Sequence, residues 1–493
     1  MPRFFQIKGI LFLLFAFCFF CPGLARQVVI NPHKPLSSQM VYENSEYIIR
    51  QSVNMKGEKV VIPEGCTLVF ERSGRIRNGE MKGDDTRIES SKNKIFKQVK
   101  LSGTFSGDES RPEWFIGENA EIALSRCLAL FQGVVLDNSY SINSSIIIEK
   151  PVNLSGKGIL SFKEGVGDCI DIRSSNVLIN GIQIQNQDIE AKLIHARGDA
   201  KHPLKNIDIT CCTLKGGMFS VVFDYCVGSK VSGCRINDVE HTAIGLYSTH
   251  FIEVRDNTIS NINTYHRQHN SYGITATYHY GDAKSTDIII TGNMVSNNPY
   301  WEALDTHGGE RIVFSKNIIK NCWRGVAAVG DNHRDLMLCK EITIEDNYIT
   351  CSEEPLSNGI VFTGVGVNNL SQDIKVINNK VTKSVIALYS NHNENVVISQ
   401  NDLFASDEIW RDIGSRSIKF TDNTVELSSG KATNYEKSVF YFKHAETVAN
   451  IQFGEVSNNT IITRGASLIT EYGSFRALNS AVLEKGNRVA IDI

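Results

Sequence analysis

Short stretches of alternating apolar and polar residues run along most of this chain, and each ends at Asn, Asp or Gly. In "IEVRDNTIS" (252–260), for example, the alternation is broken once, at Asp-Asn, and then resumes. A period of two residues is typical of β-strands, whereas an amphipathic helix would repeat its apolar residues at i, i+3, i+4 and i+7. The pattern predicts a chain built mainly of short strands joined by turns.

One six-residue phrase recurs within this alternation. Its first position is apolar, the second and third are mostly polar, the fourth is usually Asn, the fifth varies and the sixth is apolar. Examples are "VRDNTI" (254–259), "FSKNII" (314–319) and "IEDNYI" (344–349). The clearest marker residues are Asn257, Asn293, Asn317, Asn347, Asn379, Asn401, Asn423 and Asn459, while Cys212 and Cys234 take the marker position in weaker copies. Successive markers are 22 to 36 residues apart, which predicts a solenoid.

A spacing of 22 to 25 residues, with occasional longer steps, suits three short strands and three turns per coil. We therefore predict an all-β fold, a right-handed parallel β-helix of about 12 coils. A leucine-rich-repeat horseshoe is disfavoured, because its Leu-rich pattern is absent. Asn suits the marker turn because it tolerates left-handed backbone and can bond the Asn of the next coil.

The ends of the chain differ from its middle. Arg3 and Lys8 precede an apolar run, and Gly23-Leu24-Ala25 then supplies small residues, as in a cleavable export signal. "NAEIALSRCLALFQG" (119–133) has the pattern of an amphipathic helix. The predicted organisation is a signal peptide (1–25), a small β unit or early coils (26–110), a linker and capping helix (111–133), the β-helix (134–465) and a C-terminal cap (466–493).

Export places the protein in the periplasm or outside the cell, and no later apolar stretch approaches the ~20 residues that span a bilayer, so we expect no membrane insertion. The net charge of −3 and the lack of a basic stripe disfavour nucleic acid as a partner. Ten cysteines follow the signal without zinc-type spacing, and we expect most of them to be small buried apolar residues.

The "RPEWF" segment (111–115), the helix after it and the Asn-marked coils resemble secreted bacterial parallel β-helix proteins of the pectin-lyase-like superfamily. The resemblance covers roughly residues 55 to 465 and implies the fold. That superfamily includes polysaccharide lyases, glycoside hydrolases, epimerases and noncatalytic fibre proteins, so the resemblance implies a glycan partner without defining the reaction.

Most of the candidate functional residues lie where the coils are longest, between residues 257 and 379. In "YWEALDTHGGERI" (300–312), alternation places Leu304 inward and Ala303, Asp305 and His307 outward, with Asp305 and His307 about 7 Å apart on an exposed groove. Asp is disfavoured in mid-strand, which makes Asp305 a functional candidate. Alternation places Glu302 on the opposite side of the strand from Asp305, unless the chain bends after Pro299.

The next coil supplies "CWRGVAAVGDNHRDLML" (322–338), in which Asp331 follows the strand equivalent to 303–307 and could approach Asp305. The insertion at 261–287 adds His and Tyr side chains that suit sugar rings. Candidate substrate-binding residues from these segments are Trp301, Arg324, His333, Arg334, Tyr278, His279 and His266. His266 and His269 have a spacing that can chelate a metal, but no carboxylate companion lies near, and we expect no metal or cofactor.

The leading hypothesis is a carbohydrate-active enzyme, a glycoside hydrolase in which Asp305 works with Asp331 or Glu302 and His307 tunes them. The alternative enzyme is a polysaccharide lyase, in which His307 or a Tyr abstracts a proton beside a uronate carboxylate and an Arg or Ca²⁺ neutralises that carboxylate. A noncatalytic glycan-binding protein would spread its aromatic and polar residues over many coils, whereas here they concentrate in a few.

Overall fold

The computed structural model describes residues 26–90, 94–106, 109–263, 270–333, 335–352, 355–428, 438–443, 452–464, 467–472 and 486–490. The proposed signal peptide (1–25), His266, His269 and Arg334 lie outside these described residues. By contacts the chain divides into two compact units, residues 1–106 and 107–493.

The first unit is a sheet of seven parallel strands among its described residues. The strands are Gln27–Val29, Glu46–Ile49, Ser52–Asn54, Lys59–Val61, Thr67–Phe70, Arg75–Ser90 and Phe96–Ser106. Their inward positions, such as Ile49, Leu68 and Ile76, are fully buried, which explains the alternation seen in the sequence.

The second unit begins with a short 3-10 helix, Pro112–Trp114, and the α-helix Ala120–Leu130. The side chain of Asn119 accepts a hydrogen bond from the backbone N–H of Ile122 and so caps the helix. The helix buries Leu124 and Leu128 and contacts the first strands of the unit. It lies where the sequence predicts a capping helix, at the end of the coils.

Two long parallel sheets form the body of the second unit. The described strands of the first, 15-stranded sheet are Gly133–Leu136, Val152–Gly156, Val177–Asn180, Leu204–Lys205, Ile207–Thr210, Cys226–Val227, Lys230–Ser232, His250–Arg255, Thr286–Thr291, Glu310–Ser315, Lys340–Glu345, Ser371–Ile377, Asn393–Ser399, Arg416–Thr421 and Gln452–Ser457.

The second sheet has 23 described strands, because most coils contribute two strands to it. They are Ser139–Ile142, Ile146–Ile148, Ile159–Phe162, Asp168–Ile172, Gln183–Asn186, Lys192–Arg197, Thr213–Gly216, Phe219–Asp224, Arg235–Val239, Thr242–Tyr247, Thr258–Ile262, Tyr272–Thr277, Met294–His307, Ile318–Val329, Tyr348–Cys351, Asn358–Thr363, Lys380–Asn391, Asp402–Ile413, Thr424–Leu427, Ser438–Lys443, Thr460–Ile462, Ser467–Tyr472 and Arg488–Ala490.

This arrangement confirms the predicted all-β parallel solenoid with three strand segments per coil. Its core is a column of inward side chains, in which residues such as Ile288 and Ile290 are fully buried while Ile289 between them is exposed. The strands Ser467–Tyr472 and Arg488–Ala490 pair onto the second sheet, so the coils continue into the stretch where the sequence predicts a cap. The sequence misses them because these strands lack the marker phrase. Within the described residues, no helix is long and apolar enough to cross a membrane.

The marker asparagines stack at equivalent turns of successive coils, as predicted. Asn317 donates from its backbone N–H and from Nδ2 to Oδ1 of Asn347, both at 3.0 Å, and Asn347 is bonded to Asn379 in the same way. Each Nδ2 also donates to a backbone carbonyl, such as that of Ile290 beneath Asn317. The ladder runs from Asn257 to Asn487.

The backbone reason given for Asn at the marker is wrong, because the left-handed residue is the one before it. Asp256, Lys316 and Asp346 have φ angles of 56°, 55° and 57°, whereas the marker asparagines are not left-handed. The marker needs an amide that both donates and accepts, and the preceding position needs a residue that tolerates positive φ. Cys212 and Cys234 occupy the same buried position in earlier coils.

All ten described cysteines are free thiols, and all but Cys211 are buried. This confirms the expectation that most of them serve as small buried apolar residues.

We expect Asn347→Ala to lower the free energy of unfolding by about 1–3 kcal/mol. The substitution removes the acceptor of both Asn317 donors and the donor to the carbonyl of Phe314, all of them buried. Urea denaturation measures the change. Asn263→Ala is the matched control, because this exposed Asn also bonds the coil beneath, through Glu240, and its loss should change stability by less than about 0.5 kcal/mol. Equal effects of the two substitutions would contradict the ladder's role.

Candidate functional site

The strand Met294–His307 runs unbroken where the preceding coil has two separate strands, Thr258–Ile262 and Tyr272–Thr277, and it carries Glu302 and Asp305. Its register against the next coil shifts between Asn298 and Glu302. Glu302 lies with Asp305 and His307, so simple alternation is broken between 302 and 305, although the pairing offset to the next strand is constant over these residues. The sequence places Glu302 on the opposite side from Asp305 unless the chain bends after Pro299; the strand is irregular between Asn298 and Glu302, and Glu302 does lie with Asp305. We call Glu302, Asp305, His307 and Arg324 the central cluster.

Asp305 is wholly buried, contrary to the expectation of an exposed groove residue. Its Oδ2 accepts a hydrogen bond from Thr275 Oγ1 at 2.6 Å, and its Oδ1 has no hydrogen-bond partner among the described residues. Burial raises the pKa of Asp305 to about 7, and the nearby charge of Glu302 adds to the rise. A carboxyl group with this pKa is only partly ionised at neutral pH.

His307 links Asp305 to solvent. Its Nε2 lies 3.4 Å from Asp305 Oδ2, and its side chain is 27% exposed while that of Asp305 is not exposed at all. Burial alone would lower the pKa of His307, but the carboxylates of Asp305, Glu302 and Asp331 raise it above its ordinary value. The aromatic ring of Tyr272 meets the imidazole edge-on, with 6.2 Å between ring centroids. His307 and Asp305 form a coupled pair that holds at least one proton near neutral pH.

Glu302 and Arg324 form the other half of the central cluster. Arg324 Nη1 donates to Glu302 Oε1 at 2.9 Å, across adjacent strands whose register pairs the two residues. The guanidinium carbon of Arg324 lies 4.2 Å from the ring centre of Trp301 and 4.9 Å from that of Trp323. Both indoles are partly exposed, so an aromatic surface lies beside the carboxylates.

Glu302, Asp305 and His307 offer ligand atoms within 4.8 Å of one another, close enough to surround a single cation. However, Arg324 is bound directly to Glu302, and its positive charge repels a metal ion at this position. The donor set fits proton transfer better than metal binding, because the two carboxyl groups have contrasting neighbours.

Asp331 follows the strand of the next coil and is partly exposed. Its Oδ2 accepts a hydrogen bond from Tyr278 Oη at 3.1 Å, and its backbone pairs with Met337. The sequence left open whether Asp331 approaches Asp305, and the structure places it near enough to His307 to raise the pKa of the imidazole. His333 is exposed, and its backbone N–H donates to Asp331 Oδ1, so it shapes this turn.

His279 does not join the central cluster. Its Nε2 lies 3.1 Å from Oδ1 of Asp224, and Asp224 in turn bonds the buried His195. We call Asp168, His195, Asp224 and His279 the distal cluster. Sequence reasoning missed its first three members and Thr275, and it noted Tyr272 only among the aromatic residues of the 261–287 insertion. Charged residues inside apolar strands, as in "DCIDI" (168–172) and "KLIHAR" (192–197), were the available signal.

Solved structures provide the comparisons with known proteins. The catalytic unit of a GH87 α-1,3-glucanase from Streptomyces thermodiastaticus is 14% identical, with 75% of this chain and 66% of that chain covered and a TM-score of 0.48. DFA-IIIase from Arthrobacter chlorophenolicus, in complex with GF2, is 12% identical, with coverages of 75% and 100% and a TM-score of 0.44. The tailspike protein of E. coli bacteriophage HK620, in complex with a pentasaccharide, is 12% identical, with coverages of 88% and 72% and a TM-score of 0.38.

No protein-family model matches the sequence, and the comparison with curated proteins gave no significant match. At these identities and TM-scores, the likeness to solved structures carries no argument about the substrate or the reaction.

Proposed function

We propose that this protein is an exported enzyme that hydrolyses glycosidic bonds, with His307 as the proton donor. The observation that carries the proposal is that a partly exposed imidazole lies 3.4 Å from a wholly buried carboxyl group whose pKa is raised to about 7. Export, to the periplasm or beyond the cell, rests on the sequence of residues 1–25.

The first step is protonation of the leaving oxygen. Asp305 has no exposed surface, so it cannot reach a glycosidic bond itself. His307 can, because its side chain is partly exposed; its Nε2 is buried 3.4 Å from Asp305 Oδ2 without a hydrogen bond to any described residue, which leaves Nδ1 to meet the substrate. Asp305 raises the pKa of His307, so that the imidazole carries a proton to donate near neutral pH. Asp305 is thus a positioning residue and His307 the group that meets the substrate.

Water must be activated by a second group, and Asp331 is the partly exposed carboxylate beside His307. In this mechanism Asp331 takes a proton from the water that attacks the anomeric carbon, while His307 gives its proton to the leaving oxygen. Tyr278 donates to Asp331 Oδ2 and fixes its orientation. Glu302 is as buried as Asp305, so its part is to hold Arg324 against the aromatic surface.

Trp301 and Trp323 supply the binding surface in this proposal. Their ring centres are 5.1 Å apart, and Arg324 lies against both faces. Partly exposed indole rings stack on the apolar faces of sugars, and a neighbouring guanidinium donates hydrogen bonds to sugar hydroxyls.

A lyase is the second candidate, and Tyr272 favours it. Burial, with Asp305 and Glu302 nearby, raises the pKa of Tyr272, so that its phenol keeps its proton beside His307. A base at His307, an acid at Tyr272 and a cation at Arg324 are the three groups that elimination from a uronate requires. Elimination needs His307 without its proton, whereas the surrounding carboxylates favour the protonated form, so hydrolysis is preferred.

Mass spectrometry of the products from a panel of neutral and uronate-containing polysaccharides tests the proposal. We expect cleaved products that have gained one water, whereas unsaturated products would identify the lyase. The matched control for a His307→Ala variant is His250→Ala, since His250 is also half-buried but lies in the other sheet, bonded to Thr286. We expect His250→Ala to retain turnover and His307→Ala to lose it. No cleavage by the wild-type protein of any member of the panel would count against the enzyme hypothesis.

A further inference from the structure

We propose that the distal cluster is a second sugar-binding subsite, which takes an uncharged sugar ring of the same glycan chain several coils before His307. The inference rests on the proposed function and extends it, since it makes the substrate an extended oligosaccharide or polysaccharide with a neutral unit at this position.

The strand register places the two clusters on one face of the second sheet. Asp305 pairs with Thr275, which pairs with Gly245, then Val222 and finally His195. His195 is therefore four ladder steps from Asp305, roughly 19 Å at about 4.8 Å per step. A glycan that lies along the axis of the coils, with one sugar at His307, reaches the distal cluster after several units.

An aromatic stack lies between the two clusters. Gly245 has no side chain, and a Cβ there would lie 2.8 Å from the ring of Tyr247, which shows that this ring lies across the glycine. The imidazole of His279 stacks on Tyr247, with 5.4 Å between ring centres, and on Tyr225, with 4.9 Å between ring centres. Burial raises the pKa of Tyr247, and the charges of Asp224 and Asp305 add to the rise, so its phenol is within electrostatic range of both clusters.

Polar groups of fixed orientation surround this stack. His195 is buried and bonds two carboxylates, from Nδ1 to Asp168 Oδ1 at 2.9 Å and from Nε2 to Asp224 Oδ2 at 2.6 Å. Asp224 also holds His279, whose side chain is 37% exposed. Fixed donors and acceptors beside an aromatic face are the arrangement that binds sugar hydroxyls.

Charge decides which kind of sugar fits. Three cationic side chains, Arg173, Arg197 and His195, face three carboxylates, those of Asp168, Asp171 and Asp224. The two arginines are about half exposed, yet each already binds a carboxylate. A uronate or sulfate group would have to break one of these ion pairs, whereas a neutral sugar can accept the remaining N–H groups without disturbing them.

The test measures binding without turnover. The protein is the His307→Gln variant, and binding is measured by isothermal titration calorimetry. The neutral probes are a linear trisaccharide and a linear heptasaccharide of the glycan backbone that the polysaccharide panel identifies. The charged probe is the uronate heptasaccharide. If the panel shows no cleavage, an oligosaccharide array selects the backbone instead, so that the subsite is tested even where the enzyme hypothesis fails.

We expect His279→Ala to raise the Kd of the neutral heptasaccharide about 3- to 10-fold, because it removes the exposed imidazole edge and the ring on which Tyr225 and Tyr247 stack. Arg173→Gln, which keeps a hydrogen-bond donor but loses the charge and leaves the buried His195 untouched, should raise it less. His250→Ala, on the other sheet, is the matched control. An unchanged Kd in His279→Ala overturns the subsite, as does tighter binding of the uronate heptasaccharide than of the neutral one. If the array yields no ligand at all, both the subsite and the proposed function fail.

Discussion

Replacing His307 by Gln should reduce turnover of the cleaved glycan by about 10²- to 10⁴-fold, the usual contribution of a positioned general acid. Gln has nearly the size of His and can bond Asp305, but it has no proton to give at neutral pH. Because the side chain is partly exposed and lies at the end of its strand, we expect little change in the unfolding temperature. Steady-state kinetics and thermal unfolding of the same preparation measure both effects.

His250→Gln serves as the control for this substitution, since it removes a half-buried imidazole from the opposite sheet. A His307→Gln protein that retains more than a tenth of wild-type turnover would show that the proton comes from another group. A loss of turnover matched by a large fall in unfolding temperature would show a structural role instead.

Asp305→Asn should both slow turnover and move the pH profile. The nearby carboxylate of Asp305 raises the pKa of His307, so its removal lowers that pKa. In the wild-type enzyme kcat/KM falls as the pH rises through the pKa of the His307 proton donor, and in Asp305→Asn this alkaline limb should lie at lower pH. At neutral pH less of the imidazole is protonated, and we expect turnover to fall by about 10²-fold or more.

Stability distinguishes this role from a purely structural one. In an unfolded chain Asp ionises near pH 4, whereas burial raises the pKa of Asp305 to about 7 in the folded protein. The folded state is therefore penalised as the pH rises from about 4 to 7, and the penalty is complete above the folded value. Asn cannot ionise, so the unfolding temperature of Asp305→Asn at pH 8 should equal or exceed that of the wild type. A lower unfolding temperature with an unmoved pH profile would contradict the positioning role.

The solenoid was predictable from the sequence because its determinants repeat. Each coil needs inward apolar residues, a turn residue of positive φ and an amide at the marker position, so the same phrase recurs at intervals of 22 to 36 residues. The region of the candidate site was also predictable, because an expanded coil lengthens the spacing between successive marker residues, as it does between Asn257 and Asn379.

Within that region the sequence did not predict which side chains are buried, nor on which side of the strand each one lies. Alternation treats a strand as regular, but Met294–His307 is irregular: its register shifts between Asn298 and Glu302, and Glu302 lies with Asp305 although alternation would separate them. The irregularity depends on how the neighbouring strands pair, and no property of "YWEALD" alone specifies it. For the same reason simple alternation predicts a solvent-exposed Asp305, whereas this residue is buried in the folded protein.

By itself, then, the sequence determined the parallel β-helix, the stacked asparagines and the segment in which His307 and Asp305 lie, because local alternation and repetition decide these features. Only the tertiary structure decided that Asp305 is buried behind His307, that Arg324 binds Glu302, and that His195 and Asp224 join His279. The residues that meet in the last two cases are 22 to 84 positions apart in the chain. They meet because stacking brings equivalent positions of successive coils to within about 4.8 Å, a distance set by inter-strand hydrogen bonds rather than by sequence separation.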